Sequence, residues 1–151
     1  MENSLYEIGL KENCVFCTIA VGLDPNTTLL YQDEELVAFK NITPAADHHY
    51  LIIPKEHIQD GKCLTEKHIN LVEKLKNIGL QVLQQQGGDS NNLRLGFHWP
   101  PFYSVPHLHL HVISPAHQMS IVRRFKFKPG TRWFLTPSEV VEKLKHQISN
   151  L

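Results

Sequence analysis

Apolar positions along the chain change period several times, and each change marks an element. Thr28-Leu-Leu-Tyr31 and Leu36-Val-Ala-Phe39 flank the acidic turn Asp33-Glu-Glu35, which predicts a hairpin of two short strands. Pro44 interrupts the chain, and His49-Tyr-Leu-Ile-Ile53 predicts a buried strand ended by Pro54. Over residues 65–86 the period lengthens. Leu71, Val72, Leu75, Ile78, Gly79, Val82 and Leu83 recur every three or four positions, so one long helix is expected, with Thr65 as N-cap and Gly87-Gly88 as its stop. Residues 92–95 and 107–113 return to strand character on either side of Trp99-Pro-Pro101. Thr136-Pro-Ser-Glu139 joins a capping box to a proline at the first helical position, opening a short helix through Val140, Leu144 and Ile148. The order is β-β-β-α-β-β-α with mostly hairpin-length connections. It predicts an α+β fold: an antiparallel sheet of about five strands, one main helix and a short C-terminal helix.

No repeat, low-complexity tract or linker divides the 151 residues, so a single domain over 1–151 is expected, with a core over about 14–114 and a C-terminal extension over 115–151. With 42% hydrophobic and 20% charged residues the chain is neither disordered nor collagen-like. Fifteen basic and fifteen acidic side chains cancel, so net charge does not mark a polyanion binder. Position matters more. Residues 1–75 hold 6 basic and 12 acidic side chains, and residues 76–151 hold 9 and 3, giving −6 and +6. The first ten residues lack a basic segment followed by an apolar run, and the longest apolar run, Tyr50-Leu-Ile-Ile53, is strand-sized. Neither a signal peptide nor a membrane span is therefore expected, and an intracellular protein is. Three cysteines do not make a disulfide framework; Cys14 and Cys17 form a C-x-x-C, and Cys63 is expected to fill a turn or core position.

Ten histidines change the picture, because imidazole is the side chain best suited to chemistry near neutral pH. Three of them lie in Ser104-Val-Pro-His107-Leu-His109-Leu-His111-Val-Ile113. Period-two alternation puts His107, His109 and His111 on one face of a strand and Leu108, Leu110 and Val112 on the other. At roughly 3.3 Å per residue, neighbouring imidazoles stand about 7 Å apart along the strand. That lets one ring attack a phosphorus while another bonds its oxygens. A solvated face without a task is the bland alternative, but three bulky titratable residues backed by an apolar face argue against it. A metal site built from these three alone would need other directions of approach.

His107-Leu-His109-Leu-His111-Val-Ile113 resembles the signature of the histidine-triad superfamily, three histidines alternating with apolar residues and followed by two more. The resemblance extends over Cys14-Val-Phe-Cys17, Phe39-Lys-Asn-Ile-Thr-Pro44, His49-Tyr-Leu-Ile-Ile-Pro-Lys-Glu-His57 and Ser104-Val105. Within the superfamily the chain is most similar to the Hint branch and its third type, through Gly96-Phe-His-Trp-Pro-Pro-Phe102 and Trp133-Phe-Leu-Thr136. The resemblance implies that His109 attacks the α-phosphorus of an adenylated amine or carboxylate, forming a nucleotidyl-imidazole that water cleaves to AMP. His111 then bonds the phosphoryl oxygens, His107 holds His109 through the backbone and an imidazole network, His49 completes that network, and Ser104 sits near the departing group. His111 stands where the sugar-phosphate nucleotidyltransferase branch has glutamine, which favours hydrolysis over transfer. No cofactor for catalysis and no membrane partner are implied. The implied substrates are purine nucleotide phosphoramidates and aminoacyl adenylates. The implied location is the cytoplasm, with the nucleus as a second compartment. A homodimer or higher homo-oligomer is implied, joined through the long helix and an edge strand, with Trp133 and Phe134 reaching a neighbouring site or capping the core.

The chain also departs from that pattern. The Hint branch contacts ribose through an Asp-Ile pair, and here Asn41-Ile42 stands in its place, keeping an acceptor and losing the charge. Asn41 otherwise reads as a turn residue before Pro44. Gly96-Phe-His98 is similar to the aprataxin branch, which removes AMP from DNA 5′ ends; His98 is then an extra contact to phosphate or leaving group, or a packed loop residue. Some superfamily members hold a structural zinc at positions matching Cys14, Cys17, His57 and His107, and two thiolates with two imidazoles make a closed tetrahedral set. Two reduced cysteines filling a turn are the alternative. Finally, Arg123, Arg124, Lys126, Lys128 and Arg132 are interleaved with Phe125, Phe127 and Trp133. Such a run either tracks a nucleic-acid backbone or forms a solvated edge strand. Three function classes follow: a small-molecule phosphoramidase needing the triad alone, a nucleic-acid deadenylylase needing this rim too, and a nucleotide-sensing binding module, which an intact His109 disfavours.

Overall fold

A computed structural model describes residue 11 and residues 13–149; the N-terminal stretch considered above for targeting lies outside the described residues. The elements run α1 (Val15–Ala20), β1 (Leu29–Gln32), β2 (Leu36–Lys40), β3 (His48–Pro54), α2 (Ile69–Gln85), β4 (Arg94–His98), β5 (Leu110–Ser114), α3 (Ile121–Lys126), β6 (Phe134–Leu135) and α4 (Pro137–Ser149). The strands form one antiparallel sheet in the order β1-β2-β3-β5-β4-β6. No helix among the described residues is long and apolar enough to cross a membrane.

The pleat divides the sheet into two working faces. On one, Leu36, Ala38, Ile52, Leu110 and Val112 meet Val72, Leu75, Ile78 and Val82 of α2, with Val140 and Leu144 of α4 closing the cluster. Burying each such side chain contributes about 1.5–3 kcal/mol. Gly79 lets α2 sit this close, since a Cβ there would lie 2.9 Å from Val112 Cγ2. The other face carries Val37, Phe39, Leu51 and Ile53 beneath Phe16 and Ile19 of α1, and Ile113 beneath Phe127 and Phe134. The histidines emerge on this second face.

The helix ends follow their sequence signals with one substitution of parts. Gly87 has φ +82°, and the Gly88 and Gly87 N–H groups donate to the Leu83 and Gln84 carbonyls at 2.9 and 3.0 Å, a Schellman ending. Thr65 caps a short 3-10 turn, Glu66–His68, that runs into α2, and His68 Nδ1 accepts the Thr65 N–H at 2.9 Å where a Glu or Gln usually does so. Thr136 and Glu139 form the expected reciprocal box at 3.2 Å each way.

Several expectations need correction. The sheet has six strands, because Phe134–Leu135 pairs with Phe97 and His98 on the outer edge of β4. The triad strand begins at Leu110, not His107; His107 and His109 lie in the lead-in, where the backbone turns aside to bond the Ile58 carbonyl through the Leu108 N–H at 2.7 Å. β4 is displaced toward His98, covering Arg94–His98. The basic run is no edge strand: Ser120 caps Arg123 N–H and residues 121–126 form α3. Cys63, by contrast, takes the turn position expected of it, exposed in a 3-10 turn. The C-terminal extension therefore lies against both α2, through α4, and the edge of β4, through β6. Phe134 is fully buried within its own chain and caps the core.

Gly96 makes that cap fit, since a Cβ there would lie 2.5 Å from the Phe134 ring. Gly96→Ala is expected to destabilise the fold by about 1–3 kcal/mol through overpacking, read as a lowered urea midpoint with an unchanged m-value.

Candidate active site

His109 is buried, and its Nδ1 lies 2.7 Å from the His107 carbonyl oxygen. A carbonyl only accepts, so Nδ1 carries the ring proton and Nε2 keeps its lone pair. Burial pushes the His109 pKa down to about 4, opposed by that hydrogen bond and helped by the neighbouring His98 and His107, so the ring is neutral near pH 7. Phe16 of α1 packs edge-on against it, ring centroids 5.1 Å apart. A neutral, oriented imidazole with an unprotonated Nε2 is a nucleophile.

The partner ring is set by a relay. The Ala45 N–H donates to His49 Nδ1 at 3.0 Å, and a backbone amide cannot give up that role. His49 therefore carries its proton on Nε2 and donates to His111 Nδ1 at 2.9 Å. His111 is left with its proton on Nε2, a buried donor without a partner among the described residues. An unpaired buried N–H disfavours the fold unless something accepts from it. It lies in a ring 5.0 Å, centroid to centroid, from His109, where oxygens of an attacked phosphorus would sit. Burial and the nearby cations Arg123 and Lys126 hold His49 down to about 3, and burial with its imidazole neighbours holds His111 well below the usual range. The Asn41 amide nitrogen, 3.2 Å from His49 Nε2, is a neighbour of that proton rather than a donor to it, since its own Oδ1 is fixed by the Thr43 N–H at 2.9 Å.

These rings line a cleft of about 350 Å³ together with Asn41, Ile42, Ser104 and His98. Phe16, Ile19, Phe39 and Leu51 give it an apolar wall suited to a flat aromatic base. Ile42 is 94% exposed at the lip. His98 is drawn in from the end of β4, but its Nε2–H donates to the Lys126 carbonyl at 3.0 Å, so it offers a lone pair and no proton to this space. Phe127, read from the sequence only as one of the aromatics in the cationic run, belongs at the histidine rings. Its ring packs on His49 at 5.5 Å and His111 at 5.1 Å and forms the back of the cleft. The only sequence signal was an aromatic residue inside a cationic run.

His107 works in two directions. Its carbonyl holds His109, while its ring turns away from the cleft: Nε2–H donates to the Pro54 carbonyl at 2.8 Å and Nδ1 aims at the cysteines. The Sγ atoms of Cys14 and Cys17 lie 3.4 and 3.5 Å from that nitrogen, Cys17 Sγ lies 3.3 Å from His57 Nδ1, and the two Nδ1 atoms are 3.2 Å apart. Metal–sulfur and metal–nitrogen bonds of ~2.3 and ~2.0 Å set tetrahedrally give sulfur–nitrogen and nitrogen–nitrogen separations of about 3.5 and 3.3 Å. All four ligand atoms fall within 4.8 Å of one another, so the set fits a tetrahedral cation. The Pro54 carbonyl supplies the outer hydrogen bond that orients a ligating imidazole. Burial pushes the Cys17 thiol up to about 11, so a bound cation would have to displace its proton.

Residues 13–126 match the family model described as scavenger mRNA decapping enzyme C-term binding. The chain is 41% identical over 134 residues to adenosine 5′-monophosphoramidase HINT3 of Xenopus tropicalis, covering 88% of each, and 42% identical to the Mus musculus protein of that name, covering 88% of this chain and 82% of the relative. A crystal structure of a HIT family hydrolase from Legionella pneumophila is 33% identical and superposes with a TM-score of 0.63, covering 68% of this chain and 92% of that one. The chain belongs to the histidine-triad superfamily, and within it its likeness is to HINT3.

Unfolded, these imidazoles take up a proton near pH 6.5; folded, His109 resists until about 4 and His49 until about 3. Between those values the unfolded state binds more protons, so stability is complete above about pH 6.5 and falls as pH drops toward 4. Urea midpoints measured from about pH 7.5 down to about pH 4.5 should decline on the acid side. A flat profile would sink the burial argument.

Proposed function

We propose that this protein is an adenosine 5′-monophosphoramidase, hydrolysing AMP-amine phosphoramidates, and aminoacyl adenylates by the same route, to AMP. The observation that carries this reading is the pairing of one buried imidazole whose Nε2 lone pair is open with a second whose Nε2–H is unpartnered. The likeness to relatives named adenosine 5′-monophosphoramidase supports the choice of substrate.

His109 Nε2 forms its bond to the α-phosphorus as the P–N bond breaks, and the amine leaves past Ser104 with that electron pair, taking up a proton from solvent. His111 Nε2–H donates to the phosphoryl oxygen as charge builds, a donor fixed beforehand by His49 and Ala45. Water then attacks the phosphorus, the imidazole leaves with the P–N electron pair, and AMP is released as the water's proton returns to solvent. Neutral imidazole is a good nucleophile and a good leaving group, so both steps proceed on the chain's own residues. The apolar wall and the Asn41-Ile42 lip would hold the nucleoside.

His109→Ala is expected to lower AMP release from an AMP-amine substrate by about three orders of magnitude or more, with AMP affinity by calorimetry changed by less than about threefold. Substantial residual turnover would remove His109 from the nucleophile role. A binding module, by contrast, would show AMP affinity in the wild type and no AMP release.

The cation proposed for the Cys14, Cys17, His57 and His107 set is zinc, which suits two thiolates with two imidazoles and would act structurally, since all four positions are taken by protein. Protein purified without chelator is expected to carry about one equivalent of zinc, lost in Cys14→Ser/Cys17→Ser. Less than about a tenth of an equivalent in the wild type would overturn this assignment.

A further inference from the structure

Helix α3 buries none of its six residues. A surface helix ordinarily turns its apolar stripe toward the core. Here the apolar side chains face outward: Ile121 is 83% exposed, Val122 78% and Phe125 61%. Phe125 follows Ile121 by four positions and Val122 by three, so the three share one side of the helix. Other contacts fix α3 in place. Ser120 caps its start, and Phe127, the residue after its end, is buried against His49 and His111. Arg123 Nη1 donates to the Pro44 carbonyl at 2.9 Å, and Arg124 donates to the Met119 and His117 carbonyls at 2.9 and 3.1 Å. Arg123 and Lys126 line the cleft, whereas Ile121, Val122 and Phe125 do not. These three therefore serve neither the core nor the cleft.

No carboxylate stands between Asp89 and Glu139 in the sequence, and Arg123, Arg124, Lys126, Lys128 and Arg132 all fall in that interval, all exposed. Among the described residues none of the five forms an ion pair; the pairs belong to Lys74 and Lys145. Outward apolar side chains interleaved with unpaired cations suit a partner that is both anionic and apolar. Part of each guanidinium is committed to carbonyls, which leaves fewer donors for directed bonds to single phosphates but keeps the charge for a diffuse anionic surface. Exposed isoleucine and valine gain nothing from a nucleic-acid backbone, and the boundary between lipid headgroups and acyl chains rewards them. Trp133, stacked on Phe125 at 4.6 Å, adds a ring of the kind enriched at that boundary.

We propose that residues 121–133 dock this protein onto a bilayer surface containing phosphatidylserine. Ile121, Val122 and Phe125 enter the headgroup–acyl boundary, and Arg124, Lys128 and Arg132 meet the headgroup charge. The protein lies on the surface without crossing it, as fits a chain in which no described helix is long and apolar enough to span. Contact with a membrane goes beyond what the likeness to histidine-triad proteins implies, and it is independent of which nucleotide the cleft takes.

The test is co-sedimentation of the full chain with vesicles of phosphatidylcholine alone and of phosphatidylcholine with about 30% phosphatidylserine. Affinity for the charged vesicles should be at least about tenfold higher, and about 0.5 M salt should abolish the difference. Ile121→Ser/Val122→Ser should weaken binding to the charged vesicles by about tenfold or more, through lost apolar burial. Lys128→Gln/Arg132→Gln should weaken it by about 25-fold, at about fivefold per cation. Urea midpoints of both variants should match the wild type, since all four side chains are exposed. No preference for the charged vesicles, or binding that either double variant leaves unchanged, would overturn the proposal. So would a drop in assembly size on replacing Ile121 and Val122, which would give the face to a second copy of the chain. A single-stranded oligonucleotide bound more tightly than the charged vesicles, with no loss in Ile121→Ser/Val122→Ser, would give the cations to nucleic acid and overturn it as well.

Discussion

Peptide groups decide where every proton in the site resides. The His107 carbonyl fixes His109, the Ala45 N–H fixes His49 and through it His111, the Pro54 carbonyl fixes the His107 ring, and the Lys126 carbonyl fixes His98. Backbone groups cannot titrate or rotate to a different polarity. Each imidazole is therefore held in one tautomer by a partner that cannot change its mind, and burial keeps the rings uncharged so that tautomer remains the relevant variable. Remove this constraint and the rings could exchange donor and acceptor roles, leaving neither a nucleophile nor a fixed donor.

The constraint explains why the surrounding elements sit where they do. Peptide groups must be brought to ring edges from four separate segments: the lead-in to β5, the turn before β3, the end of β3, and the end of α3. The sheet accommodates this geometry because a large apolar cluster on its opposite face, under α2, secures β3 and β5 without using the side that carries the histidine site. Phe16 ties the cysteine-bearing helix to the triad by touching both His107 and His109, at 6.0 and 5.1 Å. Phe127 and Phe134 do the same from the C-terminal extension, filling the space behind His49, His98 and His111.

The period-two and helical patterns made the hairpin, β3, α2 and α4 legible, because in those elements burial of one face decides the structure and burial follows side-chain type. The triad motif carried the chemistry for the same reason: alternation placed three imidazoles opposite three apolar residues. What sequence could not convey was backbone departure from a strand. Leu108 has strand character, yet its N–H bonds Ile58 and the ladder begins only at Leu110. The cysteine-histidine set was recoverable only through resemblance, since 40 residues separate Cys17 from His57 and 50 separate His57 from His107. The cationic run misled because charge frequency says nothing of period: Ile121, Val122 and Phe125 are exposed on α3 against the usual direction of helix burial. His68 and Phe127 show the same limit, their roles depending on partners that composition cannot name.

The C-terminal extension has a consequence for how this scaffold can diverge. The family match ends at residue 126, while Phe127, Trp133 and Phe134 lie beyond it. The back wall of the cleft is thus contributed by a stretch beyond that family match, anchored to the rest by a two-residue strand, by α4 on α2 and by aromatic contacts. Insertions or replacements in that stretch would reshape what enters the cleft while every proton position within the triad stayed as it is. The triad's proton positions and the cleft's back wall thus rest on separate segments of the chain, so a change in one leaves the other in place.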